Sequence, residues 1–263
     1  MPFTISHAAA VLPFSRFLAR RRLLSAALIG SMIPDFGWFM PWRPTRFETH
    51  SVIGLLTFCL PAGLTVYWIF QRLIKMPLVE LLPDGAYARW RAFAAPADYT
   101  DPLQWIWASC GLLAGALTHL VWDAFTHEHA LGMRMIPALD EPAVQIGGHH
   151  LAGAHLLQDA SSLIGLIAVV AMLLYGLRRG SGTRGAPARR LSAGERRLWM
   201  GGFVLAAAIL SGAFFLMKHP AEPATRALAV PLSGAAIAVL RGLAAAMLSV
   251  SVCLRLRLRR QPA

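Results

Sequence analysis

The sequence predicts an all-α fold, a polytopic transmembrane helical bundle of five to six spans with an N-terminal interfacial or re-entrant helical region. Three observations carry this. Of the 263 residues, 56% are hydrophobic and only 14% charged, with a mean hydropathy of +0.53, outside the habit of soluble globular domains. Several apolar stretches approach or exceed the ~20 residues that a helix needs to cross a bilayer. The basic residues that raise the net charge to +12 sit in short clusters beside those stretches, where they act as cytoplasmic anchors.

Four stretches have span character, at residues 51–70, 103–125, 161–177 and 199–217, the third of them short. A fifth, 227–254, is interrupted by Arg241, which a tilted helix lets snorkel. Ahead of these, "LLSAALIGSMIPDFGWFMPW" at 23–42 is apolar but broken by Pro34 and Asp35, and reads as a short span, a re-entrant element or an interfacial one. Residues 76–102 read as a loop holding an amphipathic helix at 84–95. Residues 178–198 are basic and rich in Gly and Pro, the composition of a flexible linker. The expected organisation is a membrane domain at 1–177, this linker, and a C-terminal transmembrane pair with a basic tail at 199–263.

Lys/Arg bias sets the expected orientation in a bacterial cytoplasmic membrane. The linker and the tail (Arg255, Arg257, Arg259, Arg260) are cytoplasmic by this rule, as are Arg72, Lys75, Arg89 and Arg91, while the loop 126–160, with Arg134 alone, faces the periplasm or exterior. Six spans satisfy every cluster; five leave Arg16, Arg20, Arg21 and Arg22 on the outer side. The same bilayer-anchoring role accounts for the charge without nucleic acid, since a basic stripe with interleaved surface aromatics is missing. Cys59, Cys110 and Cys253 lie singly in apolar stretches, a pattern that argues against disulfide or thiolate-metal chemistry. The N-terminus lacks the signal-peptide order and is expected to be retained.

Chemistry concentrates in "GALTHLVWDAFTHEHALG", residues 115–132. Helical periodicity stacks His119, Asp123 and His127 on one face. H-x-x-x-D lets one helix offer two ligands to a divalent ion, although the same pair can simply hydrogen-bond across a bundle. A carboxylate deep in a span costs about 2.5 to 3.5 kcal/mol, so it needs a partner. Asp35 in "SMIPDFGWF" and His50 in "FETHSVIGLL" fall at the same expected membrane face, and His7 in "FTISHAAAVLP" is a further candidate. His129, His149, His150 and His155 read as residues of a solvated loop, and Gly111 with Gly115 as a small-x-x-x-small pair marking close helix approach.

"MPFTISHAAAVLP", "SAALIGSMIPDF", "HSVIGLLTFCLPAGL", "GALTHLVWDAFTH" and "LLQDASSLIG", in that order over residues 1–177, resemble the bacterial membrane family of domain of unknown function 4184. More distantly, the succession of His7, Asp35, His50 and His119-x-x-x-Asp123 is similar to membrane-bound metal-dependent hydrolases and to the all-helical zinc phospholipase C and P1-nuclease fold. That resemblance implies a metal site of His7, Asp35, His50, His119 and Asp123, extended by His127. Neutral imidazole and carboxylate donors favour zinc as the divalent metal, with manganese or iron as alternatives. The chain departs from the zinc phospholipase pattern at the second H-x-x-x-D. His155-x-x-x-Asp159 fits in form, but the region reads as a Gln158, Ser161, Ser162 motif.

The expected function is therefore a membrane-embedded metal-dependent hydrolase of an ester or phosphodiester, carried by a lipid or lipid-linked compound, with Asp35 as catalytic base. The rival is a non-catalytic polytopic protein with a structural, assembly or transport role. Transport is disfavoured by the almost wholly apolar later spans, since transporters more often carry polar residues at mid-membrane in several helices.

Overall fold

The computed structural model describes residues 4–20, 23–40, 42, 44–93, 100–127, 131–139, 142–146, 149–178, 190–218 and 232–260. Among these, five helices are long and apolar enough to cross a membrane: Val52–Glu80, Pro102–Thr126, Gly153–Leu177, Ala193–Met217 and Gly234–Leu258. They are called here the first to fifth spans.

The segment 23–42 does not supply a sixth. It folds as a helix, Leu24–Gly30, then a 3-10 helix, Ile33–Phe39, with Pro34 in its first turn. Pro34 cannot donate a backbone N–H and disfavours helical geometry in the residue before it, so the chain breaks there.

Two span boundaries differ from expectation. The first span runs through Lys75 to Glu80 instead of ending near Phe70. Lys75 is buried and donates to Gln71 Oε1 at 3.0 Å, one turn back, so its charge does not stop the helix. Two π-helical turns, Leu55–Cys59 and Phe70–Ile74, widen this span. Each stands shortly before a proline, Pro61 and Pro77, whose missing N–H disturbs the ladder. The third span begins at Gly153 instead of Ser161, because the polar residues His155, Gln158 and Asp159 occupy its first turns at an exposed helix end.

The expected loop 126–160 also holds a short helix, Leu131–Met135, and an antiparallel hairpin of Pro142–Ile146 with His149–Ala152. The backbone of His149 and His150 lies in that hairpin; their side chains and all of His129 are outside the described residues. So are residues 179–189 of the expected linker, and residues 219–231, of which 227–231 open the fifth stretch. Where description resumes, Ser192 and Glu195 cap the helix Ala193–Lys218. Glu195 N donates to Ser192 Oγ at 3.2 Å and Ser192 N to Glu195 Oε2 at 2.8 Å. The last helix, Leu232–Arg260, passes through Arg241 unbroken.

The chain divides into two compact units, Met1–Tyr67 with Asp98–Tyr175, and Trp68–Ala97 with Gly176–Ala263. In the second, Arg190 lies 4.1 Å over the Tyr87 ring and pairs with Asp84, which Arg196 also reaches at 3.1 Å. The helices Ala193–Lys218 and Leu232–Arg260 pack closely enough that a Cβ on Gly242 would stand 2.1 Å from Ser211 Oγ.

In the first unit, the Leu24–Gly30 helix lies against the second span at backbone distance. A Cβ on Gly115 would stand 2.1 Å from the Ala27 oxygen, and one on Gly30 2.1 Å from the Leu112 oxygen. The small-residue pair thus does mark a close approach, and Gly30 completes it from the other side. Ser6 Oγ donates to the Ser162 carbonyl at 2.7 Å, tying the N-terminal 3-10 helix, Thr4–Phe14, to the third span.

Candidate metal centre

Consecutive caps aim His50. Thr45 and Glu48 form a capping box at the start of the short helix Arg46–His50, and Ser51 Oγ accepts from Gly54 N at 2.9 Å to start the first span. Ser51 is extended, so the chain turns between the two helices. The first span therefore starts, and the antiparallel second span ends, at the same place. There Asp123 and His127 meet His50, while Asp35 arrives from the 3-10 helix and His7 from the N-terminal one.

All six residues expected to form the metal site are brought together. His50 Nε2 lies 3.6 Å from Asp35 Oδ1 and 3.5 Å from Asp123 Oδ2. His119 Nε2 lies 3.8 Å from Asp35 Oδ1 and 3.7 Å from Asp123 Oδ2. On the other side, His7 Nε2 and His127 Nδ1 lie 3.7 and 3.4 Å from Asp123 Oδ1. His7, His119 and Asp123 form one group able to hold a metal ion, and Asp35, His50 and His119 form another.

These separations are too long for N–H···O hydrogen bonds, which run to about 3.2 Å. They are close to the ~3.3 to 3.6 Å edge of a tetrahedron of donors about a zinc ion with ~2.0 to 2.2 Å bonds. Buried His50 Nε2, His119 Nε2 and Asp123 Oδ1 have no hydrogen-bond partner. Leaving buried polar atoms unpaired costs about 1 to 3 kcal/mol each, and a cation among them removes the deficit.

Outer contacts orient the donors. His119 Nδ1 donates to the Ser31 carbonyl at 2.8 Å, which leaves the Nε2 lone pair facing the centre. The glycine contacts of the second span bring that carbonyl within reach. Thr49 Oγ1 has the Thr45 and Arg46 carbonyls to donate to and accepts from His50 Nδ1 at 2.6 Å, with the same result for His50. Thr4 Oγ1 donates to Asp35 Oδ2 at 2.7 Å, leaving Oδ1 for the centre. Arg46 Nη2 reaches Asp123 Oδ2 at 3.0 Å.

Arg46 and Thr4 were not singled out from sequence. Both carried a signal: Arg46 precedes His50 by one α-helical turn and Thr4 precedes His7 by one 3-10 turn. The Ser31 carbonyl carried none, because backbone identity is silent in sequence. His155, on an exposed part of the third span, lies outside this group.

Residues His7, Asp35, Arg46, His50, Asp123 and His127 line a cavity of about 280 Å³, with Pro34, Trp38 and Pro44 completing its wall. Burial, aided by neighbouring His119, pushes His7 down to about 4, and burial likewise lowers His127. Both imidazoles are neutral at pH 7, the state that offers a lone pair. Burial alone would raise the Asp35 carboxyl, but the imidazoles of His50, His119 and His7 and the Thr4 hydroxyl outweigh it and hold it at about 2.

These shifts give a signed expectation for metal-free protein. Folded His7 binds fewer protons than unfolded His7 between 6.5 and about 4, so stability is full above that window and falls as pH drops through it. His127 acts in the same direction. Asp35 contributes above 3.8 and loses its part only toward 2, below that window. Unfolding midpoints of chelator-treated protein in detergent should decline on acidification from about pH 7 to 4.5, and His7→Gln should flatten part of the decline. A midpoint that rises would contradict the assignment.

Residues 1–252 match the family described as Domain of unknown function (DUF4184). The chain belongs to that family. Comparisons of this DUF4184 protein with curated proteins and with solved structures find no match. What the DUF4184 chain carries is thus a membrane-type helical bundle with buried His/Asp groups that could bind a metal.

Proposed function

We propose that this DUF4184 protein is a membrane-embedded, zinc-dependent hydrolase of an ester or phosphodiester borne by a lipid or lipid-linked compound. The observation that carries the reading is the convergence, from four separate chain segments, of imidazole and carboxylate groups around one cavity, among them buried atoms of His50, His119 and Asp123 that have no hydrogen-bond partner. Imidazole and carboxylate donors without thiolate favour zinc. A bound zinc ion would polarise the scissile oxygen and lower the pKa of a water from 15.7 toward about 7.

The protein's own residues divide the remaining work. His50 and His119, with Asp35 and Asp123, would hold the ion. A carboxyl held near 2 suits Asp35 to be a permanent anion among the donors; as a general base, which works best near neutral pKa, it would be weak. Arg46, with a side chain 55% exposed at the cavity, is placed to orient an anionic oxygen.

Two features support a lipid-linked substrate. The site lies at the ends of two spans, a position reached from the headgroup region. Beside it runs an open apolar groove of about 570 Å³, lined by Leu117, Val121, Trp122, Phe125 and Leu157, among others, and Trp122 packs edge-on against His7 at 5.5 Å. In this reading the groove takes an acyl chain. By the same reading the cavity faces the periplasm or exterior and the C-terminus lies in the cytoplasm; the basic tail and linker support this orientation, and Arg16, Arg20, Arg21 and Arg22 are left on the outer side.

Metal analysis of detergent-purified protein tests the reading. Wild type should retain zinc through desalting, and Asp35→Ala and His119→Ala should lose it. Thr49→Val, which removes only an outer contact, should weaken affinity by about 10- to 100-fold. Negligible metal in wild type would leave a structural polar cluster in a membrane bundle.

A further inference from the structure

A second recess, of about 260 Å³, lies wholly within the second compact unit. It is lined by Trp68, Arg72 and Leu73 of the first span and by Val252, Arg255 and Leu256 of the fifth. Trp68 and Arg72 are one helical turn apart, as are Val252 and Leu256 with Arg255 between them, so each helix presents one face. The last helix packs against the π-helical turn Phe70–Ile74, with Ser251 and Leu254 buried. Arg72 and Leu73 belong to that turn, and π turns within α-helices recur at functional sites.

Both arginines fall at one membrane depth. A helix crosses the hydrocarbon in about 20 residues, which from Val52 reaches Gln71 and from Gly234 reaches Cys253. Arg72 and Arg255 follow directly, where hydrocarbon gives way to headgroups. Among the described residues that line the recess none is acidic. The helix Leu232–Arg260 contains no Asp or Glu, and the first span has Glu80 alone, beyond Arg72. Two guanidiniums brought to one small cavity with apolar walls repel each other, and such a setting screens them weakly. An anion between them turns that cost into attraction. Snorkelling alone requires only a path to water, not a second arginine from another helix or a shared apolar wall.

We infer, independently of the metal-centre reading, that this recess binds an anionic phospholipid of the leaflet on the side of the basic tail. Its phosphate lies between Arg72 and Arg255, each able to offer two parallel N–H donors. Its glycerol and acyl chains lie against Leu73, Val252 and Leu256. Trp68, 43% exposed, adds the aromatic side chain that membrane interfaces favour. A zwitterionic lipid offers the same phosphate with a compensating cation, so the net charge of the headgroup decides selectivity.

Native mass spectrometry of the full-length protein in detergent, titrated with dioleoyl phosphatidylglycerol, tests the site. Wild type should bind this lipid more tightly than dioleoyl phosphatidylcholine. Arg72→Gln and Arg255→Gln should each weaken binding about fivefold, and together about 25-fold, the equivalent of about 1 kcal/mol per arginine. Arg257→Gln is the control, because Arg257 pairs with Glu195 and is not part of the lining; its affinity should stay at the wild-type level. Glycerol 1-phosphate in millimolar excess should leave the bound lipid in place, since it lacks the chains that the apolar wall holds. Displacement by it would mean that the recess takes a soluble phosphate ester, and the lipid assignment falls. Equal affinity for the two lipids, or the same loss in Arg257→Gln as in the recess variants, overturns the site. Should the double variant fail to fold, the two single variants decide.

Discussion

Gly115→Ala is expected to destabilise the protein by about 3 kcal/mol, the upper end of ordinary overpacking, although it adds one methyl group. The new Cβ would stand 2.1 Å from the Ala27 oxygen and 2.7 Å from the Ser31 nitrogen. Both are backbone atoms of a neighbouring helical segment and cannot rotate away, so the helices must part. Gly201, with nothing within 4 Å of its hypothetical Cβ, is the control. There alanine should be neutral or gain about 0.5 to 1 kcal/mol, since glycine is entropically costly within a helix. Unfolding midpoints in one detergent compare the two directly. The loss should also reach the proposed metal centre, because the segment pushed away carries the Ser31 carbonyl that orients His119. Zinc affinity should therefore fall in Gly115→Ala and stay unchanged in Gly201→Ala. Equal stability of the two variants would mean that the helices are not in backbone contact at this crossing.

That crossing illustrates what the sequence could and could not convey. Apolar length located the five spans, because hydrophobic burial in a bilayer acts on composition over ~20 residues and needs no knowledge of neighbours. Span ends were less legible. Lys75 looked like a terminus and is an interior residue satisfied by Gln71, a pairing that only the folded helix reveals. The i, i+4 ladder of His119, Asp123 and His127 was readable because helix geometry fixes it. The meeting of that ladder with His7, Asp35 and His50 was readable only as a coincidence of membrane side. Their separations depend on Pro34 breaking one helix, on Ser51 starting another and on the glycines that let helices touch. Thr4 and Arg46 were passed over because helical phase in short segments is weak evidence until the segment's helix type is known.

Asp123→Asn should abolish hydrolysis while sparing the fold, which makes it the decisive functional substitution. The amide keeps the shape of the carboxylate but removes the charge, and Asp123 is the residue that all four neighbouring imidazoles and Arg46 face. Loss of the proposed direct ligand should exceed the about 10- to 100-fold effect of outer contacts and bring kcat/KM down by about 10³-fold or more, the scale of losing a principal source of electrostatic stabilisation. Bis(p-nitrophenyl) phosphate, p-nitrophenyl esters and a fluorescent phospholipid in mixed micelles are suitable probes. Arg46→Met separates the substrate classes. If the bond cleaved is a phosphodiester, removing the guanidinium raises KM and costs about 10- to 100-fold in kcat/KM, because a charge-assisted contact to the anionic oxygen is lost. If it is a neutral ester, Arg46→Met should leave KM unchanged or improve turnover, since the variant also frees Asp123 Oδ2 from a competing cation. Undiminished hydrolysis by Asp123→Asn would show that any activity of the preparation arises elsewhere, and the catalytic reading of this cluster would fall.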